Sequence, residues 1–277
     1  MGRWKAVWLL LLVTVVWGAT FPVVKGALNV ASLGVFLSLR FALAFVVLLV
    51  AARGPRPPHL DLASLGCGLA LFAGYALQTA GLSQTLPSRS AFITSFSVIL
   101  VPLLEWLVKG RPPRGRVWVA AVLALVGLFL LLQPEQAPLT LGDGLTFACA
   151  VAFAAHVLTL ERAVQRQHPT AVNTVQMAVV ALLSPTLILA EPARVQWNPE
   201  LILALLITGI LASALAFGAM ARVLLVLKAG ETGVVLAFEP VAATLVSVAL
   251  GYETVTFPVV VGGLLVVTGV ALVARES

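Results

Sequence analysis

VVLAFEPVAATL, residues 234–245, sets Glu239 beside Pro240 inside a run that is otherwise greasy on both sides. A charge at the centre of a membrane helix costs about 2.5–3.5 kcal/mol on insertion scales. Proline lacks a backbone N–H and clashes with the carbonyl four residues earlier, here that of Leu236. The stretch is therefore either a span that keeps an expensive pair for a reason or no span at all. Glu239 lies about eight residues into its run, roughly 12 Å from the nearer end, too deep for a short acid to reach water along its own stem.

The rest of the chain decides for the span. Of 277 residues, 61% are hydrophobic and 10% charged, and the mean hydropathy is +1.08. A soluble chain carries about 25% charged residues. Runs of about 20 apolar residues fall at Lys5–Val24, Val30–Ala52, Leu60–Ala80, Pro87–Val108, Arg116–Leu132, Leu141–Arg162, Thr170–Ala190, Pro199–Val223, Glu231–Gly251 and Phe257–Ala274. None alternates strictly, so they read as helices and not as barrel strands. The fold class expected is an all-α membrane protein of ten transmembrane helices. The first run exceeds a signal-peptide core and lacks a cleavage site, so it reads as a permanent helix.

The pI of about 10 needs no nucleic-acid partner. With the N-terminus inside, the outer side holds only Lys25, Arg89 and Arg194, and Arg40 lies within the membrane. Every other Lys and Arg falls on the inner side, which is the positive-inside pattern. Both termini are expected in the cytoplasm, in a multi-pass inner or plasma membrane protein. Cys67 and Cys149 fall inside spans and give neither a disulfide framework nor metal-ligand spacing. His59 and His168 lie in loops. No Walker pattern is present, and no soluble domain fits between the short loops Gly54–Pro58, Gly110–Arg116 and Gln133–Gly144.

The last of these loops divides five helices from five, residues 1–134 from 139–277. Sliding the chain along itself until Phe153 falls on Trp17 sets Trp17-Gly18-Ala19-Thr20 on Phe153-Ala154-Ala155-His156, and in the same register Arg40-Phe41 on Gln176-Met177. A slightly longer shift sets Arg89-Ser90-Ala91 on Glu231-Thr232-Gly233 and, in its register, Gly127 on Gly269. Five is odd, so the halves enter the membrane from opposite sides. Inverted repeats of this kind are a transporter architecture with its site near the midplane.

WGATFPVVKGAL (17–28), LRFALAFVVLLV (39–50), ALQTAGLSQTLPSRSAFITSFSVILVPLLEWL (76–107) and ETGVVLAFEPVAATLVSVALGYE (231–253) resemble the drug/metabolite transporter superfamily, in particular its EamA-type branch. The resemblance covers the whole chain. It implies a ten-helix exporter of small metabolites that needs no cofactor. The family often has an acidic residue after the fourth helix, where this chain reads Lys109-Gly110-Arg111.

Polar groups within the spans mark the expected site. Glu239 either faces a wet cavity, binding a cationic group or carrying a proton, or satisfies neighbouring helix groups. Arg40 is expected in a structural ion pair, with Glu239 one possible partner. Trp17, Thr20 and Pro22 make the first helix polar and broken in its outer half, and Phe153 and His156 take the symmetry-related places. Tyr75 and Gln78 share a face of the third helix, with Thr79 beside them and Gly68, Gly74 and Gly81 admitting close neighbours. Ser88, Ser90, Thr94, Ser95 and Ser97 give the fourth helix a polar first half. Phe92, Phe217 and Phe238 are candidate cavity walls. Pro102 and Pro240 are expected to interrupt the fourth and ninth helices at hinges. Glu105, Arg89, Glu191, Glu231 and Glu253 read as interfacial charges or gate pairs.

The function expected is secondary transport of small metabolites, such as amino acids or drug-like amphiphiles, by alternating access. The partners are a small-molecule substrate, the lipid bilayer and protons as an open question, in a monomer or homodimer without metal. A non-transporting membrane scaffold is the alternative, and a nucleotide-sugar carrier is the alternative within transport. An intramembrane enzyme lacks HExxH, GxSxG or a compact metal set.

Overall fold

A computed structural model describes residues 1–51, 60–82, 84–85, 87–134, 138–189, 191–251 and 254–275. Glu253 lies outside them, as do the side chains of Pro22 and Ser88. Among the described residues ten apolar helices are long enough to cross a membrane. Span 1 is Arg3–Val30, span 2 Leu33–Ala51, span 3 Leu62–Leu82, span 5 Gly115–Leu132, span 6 Leu141–Val164 and span 10 Phe257–Ala274. Span 7 is Pro169–Leu183 with a tight 3-10 end at Ser184–Leu189. Spans 4, 8 and 9 are irregular. Span 4 is two helices, Pro87–Ser95 and Ser97–Lys109, and span 9 is two, Ala229–Leu236 and Glu239–Ala249. Span 8 is Pro199–Leu206, a π-helical stretch at Ile207–Leu215, and Ala216–Val223.

Both described ends of the chain meet on one face of the bundle. There Arg3 pairs with Glu231 at 2.6 Å, and Arg116 donates to the Arg275 carbonyl at 2.7 Å. We call this the terminal face and its opposite the distal face. On the distal face the turn after span 1 is stitched to the loop before span 8: Ser32 N–H donates to the Arg194 carbonyl at 2.7 Å, and Ala31 bridges Val195. The outside of the bundle is apolar, with Leu12, Val46, Leu69, Val122, Leu203 and Leu264 exposed, as a lipid solvent allows.

The pseudo-twofold is visible in the packing. Gly127 of span 5 lies against the Gly262 carbonyl of span 10, and Gly269 of span 10 lies against the Ala120 carbonyl of span 5. The register that carries Arg89 onto Glu231 exchanges the two contacts, Gly127 for Gly269 and Ala120 for Gly262. Small residues are what lets the two backbones approach. Even a methyl at Gly127, Gly262 or Gly269 would stand 2.5, 2.5 or 2.7 Å from a backbone carbonyl oxygen and part the helices.

Candidate functional site

The breaks in spans 4 and 9 organise the centre. In span 9 the ladder tightens to three-residue bonds, Ala237 N–H to Val234 and Phe238 N–H to Val235, and a new helix starts at Glu239. Pro240 thus sits in a first turn, where its missing N–H costs nothing. The hinge expected at Pro240 coincides with this break. That at Pro102 does not: span 4 breaks at Phe96, whose N–H bonds to the Ile93 carbonyl, while Pro102 lies inside the helix 97–109. The register that carries Arg89 onto Glu231 also carries Phe96 onto Phe238, so the interruptions are equivalent although the prolines are not. Pro102 instead packs its ring on Gly230, beside Val101 on Gly233.

These glycines bring the terminal halves of spans 4 and 9 together. Glu105 accepts from the Gly230 N–H at 2.7 Å and pairs with Lys109 at 2.9 Å, and Lys109 continues to Glu161 of span 6 at 2.8 Å. Among the described residues the distal halves make no extensive contact with each other. Pro87–Ser95 lies on spans 5 and 6, and Glu239–Ala249 on span 1. The two spans therefore meet near the terminal face and part toward the distal one. Arg89 pairs with Asp143 of span 6 at 2.9 Å, which holds the distal half of span 4 aside.

Glu239 stands where they part. It is half-buried, and its carboxylate has no hydrogen bond or ion pair among the described residues. Its carbonyl and the Ala243 amide press on Gly18, where a Cβ would stand 3.0 and 2.7 Å from them.

Two aromatic pairs flank the centre, one from each repeat crossing. Trp17 of span 1 meets Phe217 of span 8, ring centroids 4.9 Å apart; Phe153 of span 6 meets Tyr75 of span 3 at 5.7 Å. The repeat shifts carry one pair onto the other. His156 adds an edge contact to Phe217 at 5.7 Å.

The π-helical stretch of span 8 supplies the polar joints. A wide turn leaves carbonyls out of the ordinary ladder. Trp17 Nε1 donates to the Ala212 carbonyl and Asn173 Nδ2 to the Ala214 carbonyl, each at 2.8 Å. From Asn173 a relay runs to Gln176 Nε2 at 2.7 Å, and Gln176 Oε1 meets His156 Nε2 at 2.9 Å and the Cys67 thiol at 3.0 Å. The Ala214 carbonyl only accepts, so Asn173 presents its amide to it and its oxygen to Gln176. Gln176 must then give its amide to Asn173 and its oxygen to the imidazole. The backbone thus orients the whole relay and assigns the proton at this joint to Nε2 of His156.

Arg40 differs from expectation. It is 5% exposed, and no carboxylate lies within ion-pair distance among the described residues. Its Nε donates to Ser213 Oγ at 2.9 Å, an NH2 reaches Tyr75 OH at 3.4 Å, and the rings of Phe41 and Tyr75 lie 5.2 and 5.5 Å from its guanidinium carbon. The Glu239 backbone is held against Gly18 of span 1. Hydroxyls and ring faces solvate the cation instead.

The remaining expected residues divide. Thr20, Thr79 and Ser95 bond carbonyls of their own helices, at Trp17, Tyr75 and Ala91. Such bonds leave little donor capacity for a ligand. Gln78 is half-buried and makes no hydrogen bond among the described residues. Phe92 is not brought to the centre. It packs on Phe96 and on Phe129 of span 5, itself 46% exposed to the outside. Asn173, Ser213 and the π-helical stretch went unrecognised in the sequence. Gln176 was visible there only as the repeat counterpart of Arg40, and Cys67 only as a small buried residue.

The EamA-like transporter family model matches residues 4–133 and again 140–275. A protein of Archaeoglobus fulgidus called an uncharacterized transporter is 32% identical over 96% of this chain and 84% of its own. A crystal structure 21% identical superposes with a TM-score of 0.86 over 98% of this chain and 96% of the other, which speaks to the fold alone. A multi-pass membrane protein built as two inverted five-helix repeats, with the family model matching each half, this chain belongs to the EamA-like transporter family.

Proposed function

We infer that the chain exports small amphipathic metabolites, amino acids or drug-like amphiphiles, by alternating access, with both termini in the cytoplasm. One observation carries the reading: spans 4 and 9 hold together at their terminal halves and separate at their distal halves, with Glu239, unpaired among the described residues, at the fork. A substrate leaving through the distal side passes the rings of Trp17, Tyr75 and Phe217 and then Glu239 at the fork. Arg40, solvated among the described residues by hydroxyls and rings, gains a carboxylate when one arrives, and Glu239 gains an ammonium. That polarity favours a zwitterion with an apolar side chain. A nucleotide sugar asks for several cations at the centre, and among the described residues only Arg40 lies there. The substrate step is binding and release, with no bond made or broken.

Counterflow in proteoliposomes tests the reading. Vesicles loaded with unlabelled apolar amino acids are expected to accumulate labelled substrate in a saturable way. Glu239→Gln is expected to lower uptake about tenfold, the loss of one charge-assisted hydrogen bond, and to flatten its dependence on pH. No saturable exchange with any amino acid or amphiphilic amine ends the reading.

A further inference from the structure

Away from the central fork, the terminal face carries a cavity of about 290 Å³ between the ends of spans 1, 4, 5 and 9. Arg3, Lys109, Arg111, Arg114 and Lys228 line it, against Glu105 and Glu231. Arg3 and Lys109 already face carboxylates. Arg111 and Lys228 have no ion-pair partner among the described residues, and both are exposed. Span 5 begins at this cavity without a side-chain cap and without an acid in its first turn. Its free N–H groups add positive potential to the same space.

A second feature fixes the depth. Trp4 and Trp106 are exposed beside the cavity residues Arg3 and Glu105, and the Trp106 ring meets Trp118 of span 5 at 6.4 Å. Tryptophans on the outside of a membrane bundle sit at headgroup level. The cavity therefore opens where lipid phosphates lie, and basic pockets between helix ends at that level bind anionic headgroups.

We propose that this cavity binds the phosphate of an anionic lipid headgroup, with Arg111 and Lys228 as its direct ligands. The site does not rest on the transport reading. It has a structural consequence, because it is built on Arg3, Glu105 and Glu231, the groups that hold the terminal halves of the two repeats together. A bound headgroup draws Arg111 and Lys228 inward across that joint and favours the closed terminal face.

Native mass spectrometry of the full-length protein in detergent reads the site directly. Titration with phosphatidylglycerol is expected to show one saturable lipid, bound about thirtyfold more tightly than phosphatidylcholine, as two added cation contacts give. Arg111→Gln with Lys228→Gln should remove that preference, whereas Lys5→Gln, on the same face but outside the cavity, should keep it. Inorganic phosphate at equal concentration should not displace the lipid. Equal retention of the two lipids by the wild type, an unchanged preference in the double variant, or displacement by inorganic phosphate each overturns the proposal, the last by making this a site for a free anion. The wild-type comparison stands whatever the variants do to folding.

Discussion

Arg40 of span 2 and Gln176 of span 7 occupy the same place in the two repeats and are solvated in opposite ways. Gln176 is fully engaged, bonded to His156, Asn173 and Cys67 in a relay that ends on the Ala214 carbonyl. Arg40 holds a charge with one hydroxyl at 2.9 Å, another at 3.4 Å and two ring faces. Both arrangements lean on the same π-helical stretch, Arg40 through Ser213 and the relay through Ala214. Duplication gave both repeats a polar group at mid-span, and divergence gave them different work. One is satisfied by the protein and serves packing. The other keeps guanidinium N–H groups without a carboxylate partner among the described residues.

Making the two places alike breaks the comparison most strongly at Arg40. Arg40→Gln is expected to lower counterflow about tenfold to a hundredfold, as losing a charged hydrogen bond of about 1.5–3 kcal/mol requires. Its melting temperature in detergent should hardly move, since no ion pair is lost. If instead the variant unfolds and the transport it retains is normal, Arg40 is structural and the contrast fails.

The converse belongs to Gln176. Gln176→Leu strands His156, Asn173 and Cys67 together, and should cost about 1–3 kcal/mol of stability for the buried groups left unpaired. Thermal unfolding followed by tryptophan fluorescence checks it. Unchanged stability would show that the relay orders nothing.

Gly18→Ala copies into repeat 1 the residue that repeat 2 has at Ala154. A methyl there meets the Ala243 amide and the Glu239 carbonyl, both backbone and unable to turn aside. We expect about 1–3 kcal/mol of overpacking, and a fall in transport beyond what stability explains, because span 9 is pushed at its break. Measuring melting and counterflow on the same sample separates the two.

The smallest effect lies at the caps of the sister spans 3 and 8. Asp61 accepts from the Ser64 N–H at 2.8 Å, and Asn198 accepts from the Leu201 N–H at 2.7 Å. Burial of Asp61 favours its neutral form, but the Ser64 hydroxyl and N–H, Gln167 and Arg166 outweigh it and hold the carboxyl below its ordinary value. A carboxyl depressed in the folded state stabilises above its unfolded pKa near 3.8 and loses that contribution as pH falls through the folded value. Asp61→Asn should leave stability at pH 7 within about 0.5 kcal/mol, Asp and Asn being similar caps. It should also flatten the decline below pH 4. A melting profile across pH 3–7 distinguishes the two chains.

The ten spans were legible because twenty apolar residues in a row have few other uses, and the repeat because Trp17 and Arg40 fall on Phe153 and Gln176 at one shift and Arg89 and Gly127 on Glu231 and Gly269 at another. The break in span 4 was misplaced by the habit of reading interruptions from proline. At Pro102 the missing N–H is tolerated inside a helix that packs on Gly230. The equivalence of Phe96 with Phe238 was present in the register that pairs Arg89 with Glu231 and was the better guide. The partners of Arg40 were not legible, since contact between spans 2, 3 and 8 depends on how the helices rotate, which composition does not encode. The packing of Phe92 on Phe96 and Phe129 depends on the same rotations. The wide turn in span 8 is written in residues, ITGILASAL, that fit an ordinary helix equally well.

That wide turn makes span 8 unlike span 3, its regular sister. An α-helix can rotate only as a rod, whereas a bulge migrates along its helix by exchanging one hydrogen bond at a time. Moved by a turn, it would swing Phe217 around the helix axis and leave the ends at Pro199 and Val223 anchored. Trp17 and Asn173 hold it in register through the Ala212 and Ala214 carbonyls. Span 8 is in this sense a threaded coupling with two stops, one at Trp17 and one at Asn173.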